Sequence, residues 1–518
     1  DHRDLHSFPT RRSSDLLYAK WVAAAPAEAT TVGVAFSLAL PDAFAGVAAR
    51  KVAVRGLPTG LRYDASAGAV VGAATKTGTF AVVMSAAGVS AVTVTVTVVS
   101  LPAWAQGTFN GFVAGDSGGL ASMSVTAQGK VTGKVLYGGK SYVFRAASFS
   151  AGSAGDSFRI EASAKAGASS LPVTLEVGAG GGGAAAALGV AGGFLGGAGG
   201  VRLVLYRNVW KDGGVAALLD SCAGYYTAVL PGGSAFGSGY LLFTADSLGR
   251  VKTAGRLADG TTVSLSGTLL LDAGNRVFAA VYASPSAYRG GGLFGLAEFV
   301  QPEGGGAAAV RLLDGAPFLW TSSNPQATAL YGEGFGRTLE LSGGRYSKTG
   351  DLYAHYADLN LEAATAAGAE APVLLSGTNR FASAWWRPDG VAVAVVTDAS
   401  GAVAGLAAEK PGAPADVDGD GVWDYGSAAN TVGLKVSLTR ATGVFKGSFK
   451  AWFDTGAQHT SKSVACEGVL TPVRESADDG TEGRGFFLWK DRSAFMNAAG
   501  RSVAYSFNES YDFLLLTP

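Results

Sequence analysis

The stretch LGRVKTAGRLADGTTVSLSG, residues 248–267, sets two glycine-cornered turns among alternating residues. Val263 and Leu265 stand two apart, the period of a strand whose side chains face opposite ways in turn. Gly249 opens the first run and suits the positive-φ corner of a hairpin turn, while Gly255, inside the run, suits a bulge or bend. Asp259–Gly260 supplies the next turn, so the segment predicts a β-meander and not a βαβ unit. The arrangement recurs in QGKVTGKVLYGGKSYVF (128–144), SGAVAGL (400–406) and TGVFKGSFKAWF (442–453). The glycine pairs are Gly129 with Gly133, Gly249 with Gly255, Gly401 with Gly405, and Gly443 with Gly447.

Composition agrees with many short strands and tight turns. Glycine supplies 76 of 518 residues, about twice its ordinary share of roughly 7%. Hydrophobic residues at 48% are enough for real cores, and the length suits three or four domains. Forty basic residues balance forty acidic ones, at a pI near 7.1. That balance argues against nucleic acid as a partner and against a polybasic membrane contact, because phosphate binding leaves a clear cationic excess. Cys222 and Cys466 lie far apart and do not make a disulfide scaffold, and their pairing is left open. The uncharged stretch 178–200 is about half glycine, which predicts a low-complexity loop in place of a membrane helix. No transmembrane segment is expected.

Residues 1–16, DHRDLHSFPTRRSSDL, differ from all that follows: basic, histidine-containing and without alternation. They resemble translated sequencing-adapter DNA joined to a shortened reading frame, and are set aside as an unstructured artefact. Any export signal would then lie upstream. Residues 17–100 predict one β module that closes on AVTVTVTVV. Within it, GLPTGLRYDASAGAVVGAATKTGTFAVVM (56–84) places Gly56, Leu57, Pro58, Gly60, Leu61, Asp64, Gly68, Val70, Gly72, Gly78 and Phe80 in a distinctive pattern. The pattern closely resembles the immunoglobulin-like, cadherin-like modules of bacterial surface proteins. The resemblance implies a small antiparallel sandwich used for spacing or adhesion.

Three glycine-rich antiparallel modules are expected after it, at 104–212, 220–320 and 331–518, the last with an acidic insertion at 411–430. Their order resembles the C-terminal repeat region of large secreted or surface proteins from environmental bacteria. The fold class expected is therefore all-β: an Ig-like sandwich followed by about three small barrels or sandwiches. One helical candidate, DLYAHYADLNLEA (351–363), has Leu352, Tyr356 and Leu359 at helical spacing.

The strongest chemical motif is DVDGDGVWD, residues 416–424. Asp416, Asp418 and Asp420 alternate, Gly421 permits the tight turn, Val422 can offer its carbonyl and Asp424 follows. Three carboxylates within five residues repel one another unless a cation sits among them, which predicts calcium. Ser427 stands where an EF-hand places its bidentate glutamate, so the loop looks more like those of dockerin or thrombospondin-type repeats. The alternative is a solvated acidic turn. GDSGG (115–119) has the look of a serine-protease motif, but the only histidines before Ser117 are His2 and His6, so a glycine-rich hairpin loop is expected. His355, between Asp351 and Asp358, fits a surface histidine better than a metal ligand. Trp385, Trp386, Trp452 and Trp489 could offer a sugar-stacking platform, though strand tryptophans more often fill cores.

The sequence thus predicts a non-enzymatic, extracellular or cell-surface β protein for adhesion or spacing, stabilised by calcium at one loop. Surface glycans or other surface proteins are the partners it suggests. The alternative is the accessory carbohydrate-binding region of a secreted carbohydrate-active enzyme whose catalytic domain lies upstream.

Overall fold

The computed structural model describes residues 27–115, 118–153, 156–181, 188–232, 237–301, 308–322, 335–347, 360–365, 387–400, 403–410, 430, 432–454, 459–472, 481–496 and 502–517. The protein is almost entirely β, in two compact units, 1–100 and 101–518.

The first unit is a two-sheet sandwich. One sheet has four strands, in the order Ala27–Thr31, Val89–Val99, Gly78–Ala86 and Ala53–Arg55; the other has Ala35–Ala39, Ala69–Ala73 and Leu61–Asp64. Between them lie Val70, Val82, Met84, Val94 and Val96, each almost fully buried. The motif residues build its turns. Asp64 accepts from the Ser66 hydroxyl and from the Ser66 and Ala67 amides, and these bonds hold its carboxyl down at about 2. Gly56 and Gly60 are left-handed, and a side chain on either would strike a neighbouring carbonyl oxygen.

The second unit contains three up-and-down barrels, of which strand pairing closes the first and leaves the second and third nearly closed. In the first, nine strands, the shortest being Ser150–Ala151, run in sequence from Gly107–Ala114 to Val201–Arg207, and these two pair with each other. The ring closes where Lys140–Ala146 meets Phe158–Ala166, at Val143 opposite Lys165. The second barrel starts at Gly224–Leu230, which pairs with Ser342–Arg345. It carries an extra hairpin, Phe318–Ser322 with Phe335–Leu339. Its sheet therefore extends past the boundary expected at 320. In the third, Asn360–Ala364 pairs with Ser502–Leu516 across an eight-stranded sheet. Its edge strands, Val403–Ala408 and Lys435–Thr439, are bridged by a buried side chain. Asn430 Nδ2 donates to Glu409 O (2.7 Å) and Leu434 O (2.9 Å), while Asn430 Oδ1 accepts from Leu434 N.

Period-two alternation holds through these strands: in Val131–Tyr137 the residues Val131, Gly133 and Val135 are buried, while Thr132 and Lys134 are exposed. The first glycine of each described pair is left-handed as expected, at Gly129, Gly249 and Gly443. The second departs from expectation in three of the four copies. Only Gly405 adjoins a register shift, between Val396 and Thr397. Gly133 keeps regular register, and a Cβ there would lie 2.1 Å from the Phe144 ring of the next strand. At Gly255 and Gly447 a Cβ would press on backbone oxygens of neighbouring strands. These glycines clear space inside a barrel; they do not bend it.

Two other expectations are corrected. The glycine-rich stretch 178–200 is not a continuous loop, because Gly189–Leu195 is a barrel strand whose Gly193 lets the Thr174 carbonyl approach. The end of the helical candidate, Asn360–Ala364, is a strand; residues 351–359 lie outside the described residues. The helix among the described residues is Ala216–Cys222. With Val209 and Trp210 it covers one end of the second barrel, where Trp210 Nε1 donates to Leu269 O (2.6 Å).

Filling governs stability here. Gly133→Ala should destabilise the first barrel by about 1–3 kcal/mol through overpacking against Phe144, and adding Phe144→Leu should restore part of the loss. Urea unfolding of the single and double variants reads both effects.

Candidate functional site

The calcium ligands expected from sequence, Asp416, Asp418, Asp420, Val422 and Asp424, all lie outside the described residues. So do Ser117, His355, Trp385 and Trp386. Trp489 belongs to the core of the third barrel at 1% exposure, which removes it as a stacking platform. The Lys462 ammonium stands 4.1 Å from the centre of its ring. Trp452 is half-buried, with Lys450 Nζ 5.6 Å from its ring centre. Cys222 and Cys466 are free and buried in the cores of different barrels. Burial pushes the Cys466 thiol up to about 12 and raises that of Cys222, so neither is a nucleophile at neutral pH.

A cluster of polar side chains joins the second and third barrels. It forms because outward faces of both barrels carry apolar residues: Val229 and Tyr240 from one, Val444, Val469 and Phe486 from the other, packed as a single cluster. Polar side chains left in this dry contact find partners across it. Thr227 Oγ1 donates to Leu470 O (2.7 Å), Tyr225 OH to Thr442 O (3.0 Å), and Ser510 Oγ to Ala258 O (2.6 Å). Arg256 Nη1 reaches Glu467 Oε1 at 3.0 Å, and Tyr240 OH donates to the other oxygen.

Beside these contacts opens a groove of about 510 Å³, lined by Arg256, Lys446, Lys462, Glu467, Phe486 and Leu488. Chemically the groove offers cations and an engaged carboxylate, and its one sulfur group, Cys466, is protonated. It can hold a polar group, but it presents no activated nucleophile. Nothing in the sequence marked these residues, which come from strands some 200 positions apart, as the Arg256–Glu467 pair does with a separation of 211.

Buried in the contact is the carboxylate of Asp512, 2% exposed. Its carboxylate accepts from Ser238 Oγ (2.6 Å) of the second barrel and from Arg484 Nη2 (3.0 Å) of its own. Burial raises its pKa, outweighing the lowering by Arg484 and Ser238. A carboxyl whose folded pKa exceeds its unfolded value of about 4 adds stability at low pH and loses it as pH rises through the folded value. The stability of the native chain relative to Asp512→Asn should therefore increase as pH is lowered from neutrality towards 4. Denaturation of both proteins across that range checks the sign; a difference that shrinks on acidification would mean that the ion pair outweighs burial.

No protein-family model and no curated protein matches the chain.

Proposed function

We propose that the chain is a non-enzymatic, secreted or cell-surface β protein that serves adhesion or spacing and is stiffened by calcium at the 416–424 loop. The observation that carries this reading is the filled barrel interior. Phe109, Val135, Phe144, Ile160 and Leu175 occupy the first barrel, and each is 2% exposed or less. A barrel packed to its axis cannot receive a small ligand as a hollow eight-stranded barrel does. Binding is then left to outward faces and loops. The buried contact between the second and third barrels supports the spacer role, because it removes a hinge where a flexible linker would otherwise sit. The N-terminal sandwich, with its resemblance to cadherin-like modules, points to the same compartment.

Calcium would be held by the carboxylates of Asp416, Asp418, Asp420 and Asp424 and the carbonyl of Val422, with the cation cancelling their repulsion. Accessory carbohydrate binding is the second reading, and it depends on Trp385 and Trp386.

Calorimetric titration of the pure chain should show calcium binding at about 10⁻⁴–10⁻³ M, the range of extracellular modules, and Asp418→Ala should abolish it. No heat at those concentrations would end the calcium assignment. In parallel, turnover of chromogenic glycosides, esters or peptides would overturn the non-enzymatic reading. Selective glycan-array binding lost in Trp385→Ala or Trp386→Ala would favour the second.

A further inference from the structure

The first barrel carries a face on which the described charged side chains are concentrated as cations. Several arginines are matched to carboxylates: Arg207 with Asp212, Arg250 with Asp246, Arg276 with Asp272, Arg311 with Glu298 and Arg484 with Asp512. On the first barrel, Lys130, Lys134, Arg145 and Lys165 are all exposed, and none has a carboxylate partner among the described residues. The sequence explains the imbalance, since no Asp or Glu occurs between Asp116 and Asp156.

Strand register brings the four cations together. Lys134 lies opposite Val143, and Val143 lies opposite Lys165 on the other side, so two ammonium groups flank one residue across neighbouring strands. Two strand spacings put their Cα atoms about 10 Å apart. Arg145 is two positions along from Val143 on the same face, opposite Thr132. Lys130 and Thr132 continue that face along the strand leading to Lys134. Val143 itself is 46% exposed, one of the few large apolar side chains left in water. Near the margin, Glu161 is already engaged by Arg159 at 2.7 Å.

We propose that this face is a docking surface for an acidic polysaccharide, one bearing carboxylate groups along its length. Charge complementarity identifies an anion, and the surrounding side chains narrow its class. Hydroxyls of Ser124, Thr132 and Ser141 are exposed between and beside the cations, where sugar hydroxyls can be matched. A protein partner would call for exposed aromatic anchors, and the buried Tyr142 and Phe144 supply none on this face. Single-stranded nucleic acid needs aromatic platforms for its bases, and a membrane needs an apolar wedge larger than one valine. A flexible anionic chain needs only spaced cations and hydroxyls on a gently curved sheet.

This inference deepens the surface-binding reading and rests on it for its setting, yet it concerns different residues from the calcium loop and the tryptophans. The test uses the full chain and polygalacturonate at low ionic strength, with neutral dextran as control, followed by biolayer interferometry. Binding to polygalacturonate alone is expected, weakened at least about 10-fold in 0.5 M salt. Lys134→Glu/Lys165→Glu should weaken it at least about 10-fold, with an unchanged melting temperature because both positions are exposed. Arg250→Glu on the second barrel should leave it unaltered. Absence of binding, equal binding of dextran, or full retention by the double variant would overturn the inference. So would tighter binding to single-stranded DNA or to phosphatidylglycerol vesicles. Any of these outcomes, with calcium binding intact and no turnover, would overturn this inference alone and leave the proposed function standing.

Discussion

Each barrel depends on a backbone pairing between its first strand and its last. Gly107–Ala114 pairs with Val201–Arg207, Gly224–Leu230 with Ser342–Arg345, and Asn360–Ala364 with Ser502–Leu516. Every other strand contact in these sheets joins neighbours in sequence or nearly so, and hairpins form such contacts cheaply. The closing pair instead brings together segments far apart in the chain, so its entropy cost must be met before the barrel core repays it. In the first barrel closure removes the sheet edges, which would otherwise invite pairing with another chain, whereas the second sheet ends on Thr262–Thr268 and Leu270–Leu271 and the third on Val403–Ala408 and Lys435–Thr439. The seam opposite the closing pair is the weaker place in each ring. The first barrel secures it by the single pairing of Val143 with Lys165, and the third by the buried Asn430 amide.

Closure also explains the glycine content. An eight-stranded barrel has an interior only just wide enough for its own side chains. Large residues such as Phe144 then need a facing position with no side chain, which Gly133 provides. Gly193, Gly255 and Gly447 do the corresponding job against backbone oxygens. Much of the glycine therefore belongs to packing, and only part of it to turns.

That division marks how far the sequence could be read. Alternation and the left-handed corner glycines were legible because both are local: the period needs only a strand, and the φ value only a turn. The role of Gly133 was not, since it is set by Phe144 on the adjacent strand. The strand Gly189–Leu195 escaped because Gly189 and Gly193, which alternate with Ala191 and Leu195, erased the hydrophobic alternation. At seven residues the helix Ala216–Cys222 is too short to show a periodic signal. Least legible was the contact around Asp512. Its polar members, Thr227, Ser238 and Ser510, sit among ordinary strand residues and become special only when two barrels share a face. The acidic loop 416–424 is the reverse case: its spacing is fully local, so the expectation of calcium there comes from the sequence alone.

Net neutrality conceals a division of labour between the two basic residues. In the ion pairs described here the cation is arginine, whose planar fork engages carboxylate oxygens in a fixed geometry. Lysine, a compact and strongly hydrated charge, gains less from such pairing. A segment that is rich in lysine and free of acids therefore keeps its charge, even in a chain whose total is zero. Across a solution with a Debye length of about 10 Å, a ligand senses only the charges near its own contact. The field over Lys130, Lys134, Arg145 and Lys165 is consequently that of a basic protein, while the carboxylates that balance it lie elsewhere on the chain. The inward side chains of the first barrel, Phe109, Val135, Phe144, Ile160 and Leu175, are buried, so this charge is carried wholly by its outward side chains.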